Sequence, residues 1–127
     1  MTKGILFLLV GLIALNVQAK DNSKIESTLL CHKESRFCAV WWKYESKKGS
    51  TFWRNRRLEE TNLGSVTLNK KEFENQSQFL SEILQKSKPL RYCVSTFIYI
   101  TKNGTQQSFC DSSLSKSDQN RVHSFFR

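Results

Sequence analysis

The stretch Asn69–Thr101, NKKEFENQSQFLSEILQKSKPLRYCVSTFIYIT, decides how the chain folds. It reads as one helix, a stop and one long strand. Phe73, Leu80, Ile83 and Leu84 recur at helical spacing, so one face is apolar and needs a partner. Asn69 with Glu72 three residues on is a variant of the capping box, which satisfies the first free N–H groups. Pro89 cannot continue a helix and pushes Lys88 towards an extended conformation. Tyr92–Ile100 is then dense in β-branched and aromatic residues. Asn103-Gly104 supplies a tight hairpin, and Thr105–Cys110 returns.

Upstream, Phe37–Tyr44 (FCAVWWKY) is a strand, Glu45–Gly49 a polar turn, and Ser50–Arg54 a second strand paired back on the first. Cys38, Val40 and Trp42 share one face; Ala39, Trp41 and Lys43 share the other. One of two adjacent tryptophans therefore points away from the core. An outward Trp near Trp53 would be a stacking platform for a sugar ring or a base, unless a helix or loop covers it. Leu63–Leu68 is a third short strand, with a bulge or bend at Gly64. Lys20–Cys31 opens polar and then carries Ile25, Leu29 and Leu30, which predicts a short helix ending near Cys31. Ser115 with Asp118 starts a last helical turn or two, with Val122, Phe125 and Phe126 facing the body. There are no internal repeats, low-complexity segments or linkers.

The chain has 127 residues and a net charge of +9. Its first nineteen residues read as a signal peptide. Lys3 precedes the apolar run Ile5–Leu15, and Val17-Gln18-Ala19 fits a cleavage site after Ala19. The competing membrane anchor would need a longer run. Residues 20–127 are then one domain in an oxidising compartment, secreted or periplasmic, and the loss of Lys3 lowers the charge by one. Such a balance favours anionic partners, although charge alone also serves solubility. Its densest cluster is Lys47, Lys48, Arg54, Arg56 and Arg57, where Arg forks would hold a phosphate, sulfate or carboxylate. A solvated, charge-protected sheet edge is the plainer reading of the same residues. Asn75-Gln76-Ser77 and Asn103-Gly104-Thr105 match the glycosylation acceptor pattern.

Strand–strand–strand–helix–strand–strand is the connectivity of a five-stranded Greek-key barrel of OB type, an α+β, mainly β fold with one central helix. Cys31, Cys38, Cys93 and Cys110 make two disulfides. Zinc ligation is disfavoured because there is no CxxC pair. In the barrel the strands holding Cys38 and Cys93 are neighbours, so Cys38–Cys93 with Cys31–Cys110 is the preferred pairing. A local Cys31–Cys38 bridge is the rival.

Two segments carry a resemblance. Lys24–Cys31 (KIESTLLC) is similar to the short cysteine-bearing N-terminal helix of the cholera and heat-labile enterotoxin branch of the bacterial AB5 toxins. Phe79–Cys93 (FLSEILQKSKPLRYC) is similar to the helix-to-strand passage in several branches of their receptor-binding B subunits. The resemblance covers the plan of most of residues 20–127. It implies a ring of five subunits that binds cell-surface glycans beside a catalytic A subunit, with the central helices lining the pore. No motif of the family's sugar site is present. The extra cysteine pair and the positive charge depart from the enterotoxin branch.

No GxSxG, HExxH, Walker loop or dinucleotide turn is present, and no cofactor or metal is expected. His32 and His123 invite a two-histidine phosphodiesterase of the ribonuclease kind, provided both reach one substrate. An inhibitor of a lysozyme or protease is a further class. Its loop would be His32–Phe37 if Cys31 and Cys38 pair. An OB barrel with exposed aromatics is also a plan for single-stranded nucleic acid, against which export argues. The reading as a whole is a secreted, non-catalytic binder of an anionic glycan or other cell-surface receptor. Trp41, Trp42 and Trp53 are its candidate stacking groups, and Arg54, Arg56 and Arg57 its candidate anion contacts.

Overall fold

A computed structural model describes residues 24–87, 91–101 and 103–127. The expected signal peptide and the Pro89 stop lie outside these residues. In chain order the elements are β1 (Lys24–His32), β2 (Phe37–Ser46), β3 (Gly49–Leu58), β4 (Thr61–Leu68), α1 (Lys70–Lys86), β5 (Thr96–Ile100), β6 (Gln106–Cys110), a 3-10 turn (Asp111–Ser113) and α2 (Lys116–Ser124). The strands form one open six-stranded sheet in the order β4-β3-β2-β1-β5-β6. Its mainly β character matches expectation; the five-stranded barrel does not.

The difference has one cause. Lys24–Cys31 is a strand rather than a helix. Ile25 and Leu29 are four apart, and four is an even number, so the pair fits one face of a strand as well as one face of a helix. Leu30, between outward neighbours, is fully buried. As β1, the segment pairs with β5, Leu30 opposite Tyr99 and His32 opposite Phe97. It thereby separates β2 from β5.

That separation also corrects the disulfides. The bridges are Cys31–Cys38 and Cys93–Cys110, not the long-range pairs. Cys31 and Cys38 lie across the β1–β2 hairpin with Cα atoms 4.0 Å apart. Cys93, just before β5, meets Cys110 at the end of the neighbouring β6.

The helices behave as their sequences predict. Asn69 caps α1 reciprocally: its side chain accepts from Glu72 N–H at 2.8 Å, and Glu72 accepts from Asn69 N–H at 2.9 Å. Ser115 caps α2 by accepting from Asp118 N–H. The β5–β6 hairpin turns through Gly104 at φ +83°, with Gly104 N–H donating to Thr101 O. The β3–β4 register slips between Arg56 and Arg57, opposite Gly64 at φ +151°, so the expected irregularity is a bulge.

The chain parts into two compact units. The described residues of the smaller are Lys24, Ile25 and Tyr44–Ser50, the tip of the β2–β3 hairpin. There Lys48 N–H donates to the Ser46 hydroxyl. The larger unit, Glu26–Lys43 with Thr51–Arg127, holds the whole core. Phe79, Leu80 and Ile83 of α1, with Val122 and Phe125 on the second helix, cover one face of the sheet. That face presents Leu30, Ala39, Trp41, Phe52, Leu68, Phe97, Tyr99 and Phe109.

Non-reducing peptide mapping is expected to return Cys31–Cys38 and Cys93–Cys110. The bridges span separations of 7 and 17 residues. On chain entropy, replacing the second pair by serine should cost roughly 3 kcal/mol and the first roughly 2 kcal/mol, read from urea midpoints.

Candidate functional site

The six sequence candidates separate by strand parity. Trp41 points into the core, is 1% exposed, and meets Phe125 edge-on at 5.1 Å. Its indole N–H donates to Gln76 Oε1 at 2.6 Å. Arg54 lies on the same face of the sheet as Phe52, since they are two residues apart on β3. Arg54 Nη1 donates to the same Gln76 oxygen at 3.0 Å, and its guanidinium sits over the Phe125 ring. Burial pushes the Arg54 pKa down, partly offset by the Glu72 carboxylate. Trp41 and Arg54 are thus building material. Arg56 is spent in part on the bulge, donating to Leu63 O at 3.2 Å.

Trp42, Trp53 and Arg57 remain. Trp42 and Trp53 stack nearly parallel, with ring centres 6.0 Å apart and planes at 13°. Both are half-buried on the face that the two helices do not cover. The Trp42 indole N–H is buried and finds no partner among the described residues. Arg57 shares this face with Trp53 by alternation along β3. Lys47 and Lys48 belong to the smaller unit.

A second arrangement is a cavity of about 310 Å3 lined by His32, Ser35, Phe37, Phe97, His123 and Phe126. Antiparallel pairing sets His32 opposite Phe97, and the first residue after buried Val122 on α2 brings in His123. The two imidazoles stand at 65° and 70° to the Phe97 ring, at 5.0 and 5.9 Å. The two histidines singled out by sequence therefore share one cavity.

Their nitrogens are not equivalent. Ser35 N–H donates to His32 Nδ1 at 3.1 Å, and a backbone N–H can only donate. The proton of neutral His32 therefore sits on Nε2, which lies 2.7 Å from the Ser95 hydroxyl. His123 Nε2 lies 3.1 Å from Asp111 Oδ2 and donates to it, which in the neutral imidazole leaves Nδ1 as the acceptor. Among the described residues no lysine or arginine lines the cavity. A phosphodiester reaction would want a cation there to meet the developing charge. Among the described residues no group of acidic, His and Cys side chains could hold a metal ion.

Sequence reasoning missed Gln76, Ser95, Phe97 and Asp111. Only Gln76 carried a local signal: a polar residue three after Phe73 and four before Leu80, on the apolar stripe of α1. Comparison with known proteins finds no matching family model, no matching curated relative and no matching solved structure.

Two outcomes follow from this geometry. Gln76→Leu leaves two donors without an acceptor and should cost roughly 2 kcal/mol or more, with a native far-UV spectrum. Glu34 accepts from Thr96 N–H at 3.0 Å, which holds its carboxyl below the ordinary value of 4.5. A lowered folded pKa gives stability that is present above the unfolded value and lost as pH falls through the folded one. Glu34→Gln should therefore be less stable than the parent at neutral pH. The gap should close in urea titrations carried below the ordinary carboxylate value.

Proposed function

We propose that the chain is an exported, non-catalytic binding protein, and that it takes a glycan or similar anionic cell-surface ligand on the Trp42–Trp53–Arg57 face. The observation that carries this reading is the stacked indole pair on the sheet face left uncovered by the helices. Folding alone asks for large aromatics beneath the helices, where Trp41 already is. A flat, half-exposed indole pair suits a sugar ring, and a guanidinium four residues further along the same strand suits a carboxylate or sulfate on an extended ligand. The net charge of +9 favours approach to such ligands. Two disulfides fit an oxidising compartment, and no described helix is long and apolar enough to cross a membrane.

In the form that the toxin-subunit resemblance implies, this binder would be a ring of five with a catalytic partner. The solution mass of the oxidised protein distinguishes that form from a monomer. A specific observation favours an inhibitor as the second reading: Cys31–Cys38 closes the loop His32–Phe37. Arg36 N–H donates to His32 O within it, and Phe37 is 38% exposed at its end. A loop fixed before contact loses little entropy on inserting into an active site.

On an array of sialylated and sulfated glycans, Trp53→Ala and Arg57→Ala should each lower binding at least roughly tenfold, the scale of one stacking or charge-assisted contact. Retained binding in both variants sinks the proposed face. A stable one-to-one complex with a lysozyme or protease, lost on Phe37→Ser, would put the second reading first.

A further inference from the structure

We propose that the cavity between His32 and His123 is a binding site for a phenol: one aromatic ring carrying one hydroxyl. This stands apart from the ligand proposed for the indole pair and uses none of its residues.

The size comes first. At about 310 Å3 the cavity lies at the small end of ligand sites, with room for one ring and a short substituent. The walls come next. Phe97 is 2% exposed, and four other rings meet it: His32, His123, Phe109 stacked at 5.5 Å, and Phe126 at 5.6 Å. The imidazoles stand steeply on it, and Phe37 and Phe126 complete the apolar lining. A flat ring entering between upright rings finds edge-to-face and offset contacts at once, which a saturated group of equal volume does not.

The polar group is then chosen by hydrogen-bond bookkeeping. His32 has both nitrogens engaged, with Ser35 and Ser95. His123 has Nε2 committed to Asp111, so in its neutral form the nitrogen left over is an acceptor. It calls for a donor on the ligand. Asp111 lies behind that imidazole with Oδ1 buried and unpartnered, and so adds negative potential. Glu34 Oε1 lies 3.6 Å from His32 Nε2 on the other side. Among the described residues no lysine or arginine is in the lining, and Lys33 bears on Glu34 from outside it. An aromatic carboxylate would meet an acceptor and two acidic groups. A phenol hydroxyl donates to the acceptor and carries no charge. The basic residues that attract anions elsewhere on the chain thus do not set the preference here.

The shared chemistry has two sources, a free phenol or a tyrosine side chain on another protein. The test is an NMR titration of the isotopically labelled, oxidised protein with three probes: 4-ethylphenol, 4-ethylbenzoate and N-acetyltyrosinamide. The expected result is saturable shifts at Phe97, Phe126 and His123 with 4-ethylphenol, at least roughly tenfold tighter than with 4-ethylbenzoate. Comparable binding of N-acetyltyrosinamide supports the site with a protein-borne ring. Its failure beside a binding 4-ethylphenol supports the site with a free phenol. His123→Phe keeps a ring in the wall and removes the acceptor, so the phenol preference should fall to about threefold or less. Phe37→Ser, at an exposed position, should weaken both small probes without changing their ratio.

Absence of saturable shifts with 4-ethylphenol overturns the proposal. So does equal binding of 4-ethylbenzoate, or a phenol preference that survives His123→Phe in an otherwise native spectrum. Unchanged affinities in Phe37→Ser would move the binding elsewhere and overturn it too.

Discussion

The packing of Trp41 is the contact on which the rest of this structure depends. It sits on β2, inside the sheet, and reaches both helices: Phe125, the C-cap of α2, through a T-shaped ring contact, and Gln76 of α1 by its N–H. One side chain thereby ties a middle strand to the two elements that close the core. Because side chains alternate along a strand, driving Trp41 inward drives Trp42 outward. The indole pair on the open face is thus a geometric result of the core. Gln76 completes the arrangement by accepting from Arg54 as well, which turns a residue of a basic cluster into a strut between sheet and helix.

The parts legible in the sequence are those whose signals are local. Asn69 with Glu72, Ser115 with Asp118, and Asn103-Gly104 each act within four residues, and each does what its chemistry predicts. The split between Trp41 and Trp42 was equally legible, because parity is a property of the strand alone. Lys24–Cys31 was not. Its apolar residues satisfy two periodicities, and only pairing with β5 selects one. The cysteine pairing followed that error, since it depends on which strands are neighbours and not on any cysteine's own surroundings.

The site shows the same division. Sequence could name His32 and His123 and the condition that they meet, but not the ring between them. Phe97 becomes the cavity floor only when β5 lies beside β1 and α2 folds back over both. The orientation of the two imidazoles is likewise tertiary. A backbone N–H three residues on settles one, and a carboxylate at the start of the 3-10 turn settles the other. Charge misled in a different way. Counting arginines in Arg54, Arg56 and Arg57 treats them as equals, whereas alternation sends two of them to one face of the sheet and the third to the other.

The Cys31–Cys38 bridge has a bearing on how such a chain can change over generations. With its base clamped at 4.0 Å between Cα atoms, the loop from Lys33 to Arg36 is shaped by the bridge, by Arg36 N–H on His32 O, and by the bonds of Lys33 and Glu34 to Thr96. Lys33 and Arg36 carry exposed side chains that can drift, while Glu34 holds Thr96 N–H and His32, Ser35 and Phe37 continue to line the cavity. Positions that can vary and positions that hold the fold are thereby interleaved within one short loop. Lys33 and Arg36 can be rewritten by selection one at a time, with the sheet beneath them left intact.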